Sequence, residues 1–173
     1  MDIFEAMEKR HSVREFDTSR EVSQDLVEEL LRCACLAPTA GNVQPWRFFV
    51  VRESELKEAL ARAALGQSFV ATAPLDIVAC ADLQAHATSY GKRGAELYAI
   101  QDTAAAVQNI LLTATSLGLG SCWVGAFNEE EAARALNLPK LVRPLAIIPI
   151  GYPLRSGGQP RKLSHKRSTT YLE

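Results

Sequence analysis

Two short stretches of this 173-residue chain carry residue types that could do chemistry, at spacings that could bring them together. Arg10, Ser12 and Arg14 stand two apart in Arg10-His11-Ser12-Val13-Arg14-Glu15-Phe16. In an extended segment alternate side chains share a side, so two guanidinium groups and a hydroxyl face one way while His11, Val13 and Glu15 face the other. Arginine forms bidentate, charge-assisted hydrogen bonds, and the ligand that suits such a clamp is a phosphate. A solvated basic turn is the other reading. The second stretch is Ala37-Pro38-Thr39-Ala40-Gly41-Asn42-Val43-Gln44-Pro45-Trp46. Pro38 excludes helix at Ala37, Gly41 admits backbone angles closed to other residues, and Pro45 is expected to hold Gln44 extended. Asn42 and Gln44 then offer two amides, each donor and acceptor, from a stiff loop. That pair suits the edge of a flat polar heterocycle, although an ordinary helix-to-strand connection has the same composition.

The elements that must position these groups are legible from periodicity. Residues 2 to 9 put Ile3, Phe4 and Met7 on one helical face. From Ser23, the residues Leu26, Val27, Leu30, Leu31 and Ala34 form the apolar stripe of a helix that ends before Pro38. Trp46 to Val51 reads as a strand, residues 54 to 64 as a helix, and Pro74 to Ala81 as a strand buried on both faces. Asp82 to Ala95, with two glycines and no sustained apolar period, is expected to be a loop or lid carrying His86, Tyr90, Lys92 and Arg93. Glu96 to Leu117 is the longest helix, and its nearly uncharged part from Thr103 belongs in the domain centre or at a subunit interface. Ser121 to Phe127 is expected as a strand running into a bend, where Gly125 and Ala126 let a ligand approach the backbone N–H groups. A short helix over 129 to 136 is capped by Asn128, and Pro144 to Pro153 is a strand that Pro149 places near a sheet edge or at a bulge. After Pro153, Arg155, Arg161, Lys162, Lys166 and Arg167 face a single acid, Glu173.

Composition narrows the classes. Hydrophobic residues make up 47% and charged residues 23% of the chain, and the net charge is -1. Those values fit one soluble globular domain with no global attraction to nucleic acid or acidic membrane, so any anion site is local. No apolar run approaches the roughly 20 residues that span a bilayer. Met1-Asp2-Ile3-Phe4-Glu5 is a charged amphipathic start rather than a signal peptide, and a cytoplasmic protein is expected. Cys33, Cys35, Cys80 and Cys122 lack zinc or disulfide spacing and read as buried thiols in a reducing compartment. His11, His86 and His165 are scattered, and no metal site is expected.

Taken in order, the motifs resemble the FMN-dependent nitroreductase-like family of oxidoreductases. The resembling residues are Arg10-His11-Ser12-Val13-Arg14 with Phe16, the stretch Ala37 to Trp46, Gln101-Asp102-Thr103-Ala104-Ala105-Ala106-Val107-Gln108-Asn109, Gly118 to Gly125, and Ile150-Gly151-Tyr152-Pro153. The resemblance implies one α+β domain over residues 1–173: a mainly antiparallel central sheet flanked by helices, built as an intertwined homodimer with FMN at the subunit interface. It implies that Arg10, Ser12 and Arg14 hold the FMN phosphate and ribityl end, with His11 alongside. Asn42 and Gln44 would lie at the isoalloxazine edge, joined by Pro38 and Thr39 of the partner subunit. The Gly125 N–H would bond flavin N5 between Val124 and Ala126. Arg167, with Lys166 or Arg161 as substitute, would supply the family's further basic residue to the phosphate.

No side chain is expected as general acid or base, because the chemistry belongs to FMN, with NAD(P)H as co-substrate. The implied activity is ping-pong reduction of nitroaromatic, quinone or similar small-molecule acceptors. The alternatives are a flavin-binding or redox-sensing module without turnover, a dehalogenating, desaturating or flavin-consuming member, and a protein that binds another phosphate ligand.

Overall fold

The computed structural model describes residues 1–172; Glu173, the tail's single acid, lies outside them. The elements are α1 (Ile3–Lys9), α2 (Gln24–Ala34), β1 (Trp46–Val51), α3 (Ser54–Ala63), α4 (Ser68–Thr72), β2 (Leu75–Asp82), α5 (Leu83–Arg93), α6 (Ala99–Ser116), β3 (Gly120–Ser121), α7 (Glu129–Ala135) and β4 (Val142–Gly151). The four strands form one sheet in the order β1-β2-β4-β3, antiparallel throughout. This is the α+β arrangement of antiparallel sheet and flanking helices that the family resemblance implies.

β2 is buried along its length because both of its faces are covered. Leu75, Ile77 and Ala79 pack with Ile148 and Ile150 under Val27 and Leu30 of α2 and Val107 and Ile110 of α6. Val78, Cys80 and Ile147 pack on the opposite face with Leu60 of α3, Val70 of α4 and Ala132 of α7. The stripe read for α2 therefore faces the sheet, and Ser23 caps that helix through the Leu26 N–H. α1 begins with a capping box between Asp2 and Glu5, which satisfies two orphan backbone donors. Its face of Ile3, Phe4 and Met7 points outward, at 52%, 73% and 51% exposure, while Ala6 is the residue buried against the body.

Four expectations need correction. The segment from Asp82 is no loop: α5 starts on an Asp82 cap and is followed by a π-helical turn, Gly94–Tyr98, that runs into α6. Its inward groups are a histidine and tyrosines rather than aliphatics, so an apolar count passes over them. The strand expected over Ser121 to Phe127 is fragmentary. β3 ends at Ser121, yet Val124 pairs with Ile147 in the same register. The gap falls opposite Pro149, whose carbonyl accepts from the Cys122 N–H at 3.3 Å but which has no N–H to return. Pro149 thus lies inside a central strand facing this gap, and the bulge is elsewhere, between Ala79 and Cys80 opposite Pro144 to Ala146. Among the cysteines, Cys80 and Cys122 are buried, whereas Cys33 is partly exposed and Cys35 exposed. Burial pushes the Cys80 thiol up to about 12.

Gly120 and Gly151 face each other across β3 and β4. A Cβ on Gly120 would lie 2.8 to 2.9 Å from the Val13 side chain, and one on Gly151 would meet Pro74 and Phe16. These bare positions let residues 12 to 16 lie against the sheet edge, where Val13 N–H donates to the Ser121 carbonyl at 2.9 Å. Gly120→Ala is expected to cost about 1 to 3 kcal/mol by overpacking, measured as a lower denaturation midpoint. An unchanged midpoint would show that Val13 yields freely.

Candidate functional site

The pairing with Ser121 sets the alternation of the N-terminal segment. Val13 turns inward at 7% exposure, with Phe16 at 6%. Arg10, Ser12 and Arg14 then line one cleft of about 390 Å³ together with His11, Gly158, Pro160 and Lys162. His11 stands at its rim: Nδ1 lies 2.9 Å from the Lys9 carbonyl, and the ring rests against Gly157. The returning chain is anchored there by the Gln159 side-chain amide, which donates to the Met7 carbonyl.

The cleft is electropositive and uncompensated. Among the described residues, no carboxylate forms an ion pair with Arg10, Arg14 or Lys162. Arg155 of the same tail, by contrast, is paired with Glu15 at 3.2 Å. Cys122 lies close behind: burial raises its thiol pKa, opposed by the Arg14 charge, a Ser12 hydrogen bond and the Arg10 charge. Three unpaired cations and a hydroxyl at one cleft match a phosphate dianion.

The tail cation in this cleft is Lys162. Arg167 sits in an exposed 3-10 turn, His165–Arg167, capped by the Ser164 hydroxyl, and neither it nor Arg161 nor Lys166 lines the cleft. The tail touches the cleft at Gly158 to Lys162 and has left it before Lys166. Which residue of a basic tail meets the cleft depends on the tail's path, and local sequence carries no signal of that path.

At the bend, Val124 is buried and bonded both ways to Ile147, at 2.9 and 3.0 Å. Gly125 and Ala126 are exposed. The Gly125 N–H has no acceptor among the described residues. The Ala126 carbonyl is held at 3.2 Å by the Gln67 amide, which also binds the Ala64 carbonyl. Gln67 was not a candidate from sequence. Its signal is its place directly after the left-handed Leu65-Gly66 turn, with φ of 59° and 77°. Arg14 lies over Phe69 at 5.8 Å, so α4 links the cleft to the bend.

The Ala37 to Trp46 loop is more tightly wound than expected. Gly41 has φ 57°, as its residue type invites, but Asn42 and Gln44 are also left-handed, at 56° and 54°. Pro45 therefore does not hold Gln44 extended. The Gln44 amide instead donates to Asn42 Oδ1 at 3.2 Å and to its carbonyl at 3.3 Å, and the Gln44 N–H donates to the Thr39 hydroxyl at 3.3 Å. Local side-chain bonds compete with the pre-proline preference and prevail. Asn42, Gln44 and Pro38 are exposed and Thr39 half-buried. Among the described residues, neither this loop nor the bend lines the cation cleft.

An antiparallel α+β sheet with a cation-lined cleft along its edge sets the structural class of the protein. Within that class the chain belongs to the nitroreductase family, whose model matches residues 7–70 and 62–152. A Methanothermobacter thermautotrophicus protein, provisionally named NADH dehydrogenase/NAD(P)H nitroreductase, is 36% identical over 162 residues, covering 91% of this chain and 81% of its own. The FMN reductase (NADPH) of Bacillus subtilis is 29% identical over 171 residues, covering 91% of this chain and 68% of that protein. A solved nitroreductase family protein from Clostridium novyi NT is 31% identical with a TM-score of 0.82, covering 92% of this chain and 89% of that one.

Proposed function

We propose that this protein is an FMN-dependent NAD(P)H oxidoreductase that reduces nitroaromatic, quinone or similar small-molecule acceptors in a ping-pong cycle, as a homodimer. The observation that carries the reading is the convergence of Arg10, Ser12, Arg14 and Lys162 on one cleft, with no carboxylate among the described residues paired to these cations. The FMN phosphate fits that cleft, with His11 at its rim. Bound FMN would supply hydride acceptance and return at N5, which no side chain of the protein can do.

The chain's own groups bind and orient. Gly125 would direct its free N–H at N5, Val124 would fix the bend from beneath, and Ala126, tied by Gln67, would keep the approach open. Asn42 and Gln44 would address the polar ring edge, with Pro38 and Thr39 of the partner subunit closing the site. The homodimer reading is supported by the outward apolar face of α1 and by Leu163, Tyr171 and Leu172, exposed at 76%, 80% and 93%. Among the described residues no helix is long and apolar enough to cross a membrane, consistent with a cytoplasmic site of action.

Purified protein is expected to show flavin absorbance bands that bleach without oxygen when NADH or NADPH is added and return when a quinone or nitroaromatic follows. Bands that persist with both nucleotides would replace the reading by a flavin-binding module without turnover. A protein that cannot be loaded with FMN would end it.

A further inference from the structure

The segment read from sequence as a loop or lid packs beneath the Ala37 to Trp46 loop. His86 of α5 is fully buried, and its Nε2 lies 2.7 Å from Oδ2 of Asp102 on α6. The same carboxylate oxygen accepts the Ala40 N–H at 3.1 Å. Asp102 is thus clamped between a buried imidazole and the loop backbone. The Tyr90 hydroxyl rests directly on Gly41, where any Cβ would overlap it. Tyr98 closes the cluster edge-on, 5.4 Å from the Tyr90 ring and 6.3 Å from His86, and its hydroxyl accepts from Arg93 at 3.0 Å.

This arrangement is costly. His86 Nδ1 is buried with no partner among the described residues, and a left-handed backbone at Asn42 and Gln44 is unfavourable for residues that carry a Cβ. Packing alone demands neither feature, since an aliphatic residue fills a core position without an orphaned nitrogen. Costs retained together in contacting groups point to a shared positioning task. We infer that His86, Asp102 and Tyr90 are positioning residues, a prop that anchors Ala40 and Gly41, and so hold the turn that carries the left-handed Gly41, Asn42 and Gln44 and set how the Asn42 and Gln44 amides meet the flavin ring. The link to the ring rests on the FMN reading above; the prop itself does not.

The test has two arms. In FMN-free protein, Asp102→Ala is expected to speed hydrogen exchange at the Ala40 amide by about tenfold or more, while Asp102→Asn, which keeps an acceptor, restores most of the protection. Tyr90→Ala removes a side chain that is 41% exposed and makes the same comparison at Gly41 and Asn42 without opening the core. In FMN-loaded protein, Asp102→Ala and Tyr90→Ala are expected to shift the flavin spectrum and midpoint potential and to weaken FMN about tenfold. Leu60→Val, in the cluster on the other face of the sheet, is expected to lower stability and leave all of these unchanged. Unaltered exchange in Asp102→Ala and Tyr90→Ala overturns the prop. Faster exchange with unaltered FMN affinity, spectrum and potential overturns its connection to the ring. Wild-type protein that binds no FMN defeats the cofactor reading, while the exchange arm still decides the prop.

Discussion

Arg14→Ala is expected to weaken FMN binding by about 1.5 to 3 kcal/mol, on the order of 10- to 150-fold in affinity. The size follows from the setting. Arg14 lines the cleft, stacks over Phe69 at 5.8 Å and has no carboxylate partner among the described residues, so its charge is available to a ligand without first breaking an ion pair. The loss combines one charge-assisted bond with the exposure of a phosphate to a less positive wall. Arg155→Ala is the matched control. Arg155 belongs to the same basic surface but is already paired with Glu15, and its removal is expected to change affinity by no more than roughly 1 kcal/mol. Titration of the two variants with FMN, followed by quenching of flavin fluorescence, separates the cases. Equal affinity in wild type and Arg14→Ala would remove Arg14 from the site.

Asp76→Leu is expected to stabilise the protein, and increasingly so as pH rises. Asp76 lies on β2 with both carboxyl oxygens buried and without a hydrogen-bond partner among the described residues. Burial holds its pKa well above the ordinary value, with the nearby Lys57 charge opposing. Leucine matches the aspartate side chain atom for atom in branching, so the exchange removes an orphaned polar group without opening a cavity. Removing that group is worth about 1 to 3 kcal/mol. The sign of the pH dependence follows from a raised folded-state pKa. Below about pH 4 the carboxyl is protonated in both states and its contribution is complete. As pH rises toward the folded-state value, the unfolded chain releases the proton while the folded chain retains it, so wild-type stability falls and the variant's does not. Urea unfolding of both proteins across the acidic to neutral range measures the divergence. A constant offset would mean that Asp76 titrates as if exposed.

These two sites differ in how far sequence reveals them. The Arg10, Ser12 and Arg14 alternation is a local property of extended chain, so it was legible once the segment was taken as strand-like. The α2 stripe and the doubly buried β2 were legible for the same reason, because helical and strand periods report which face is covered. α5 was not. Its His86 meets Asp102, which in turn holds the Ala40 N–H, and its Tyr90 meets Gly41, and those pairings are set by tertiary contact. The geometry of Asn42 and Gln44 escaped in a different way. Gly41 is left-handed as its residue type invites, but the bond between the Asn42 and Gln44 side chains outweighs the effect of Pro45 on Gln44. That Lys162 and not Arg167 lines the cleft follows from the course of an irregular tail, and the fragmentation of the strand after Gly120 from the residue opposite it, Pro149.

The parallel contact of Ser12 with Ser121 also bears on how the protein comes into being. During synthesis the ribosome releases Arg10 to Arg14 early, but their seat on Gly120 and Ser121 emerges far later, and Gly158 to Lys162 later still. The cation cleft therefore closes only after residues 158 to 162 have emerged, and a nascent chain that lacks them carries its arginines without this pocket. On the proposed reading, a ligand bound there would draw early and late segments of the polypeptide together and act as a latch on the fold as well as a step toward chemistry.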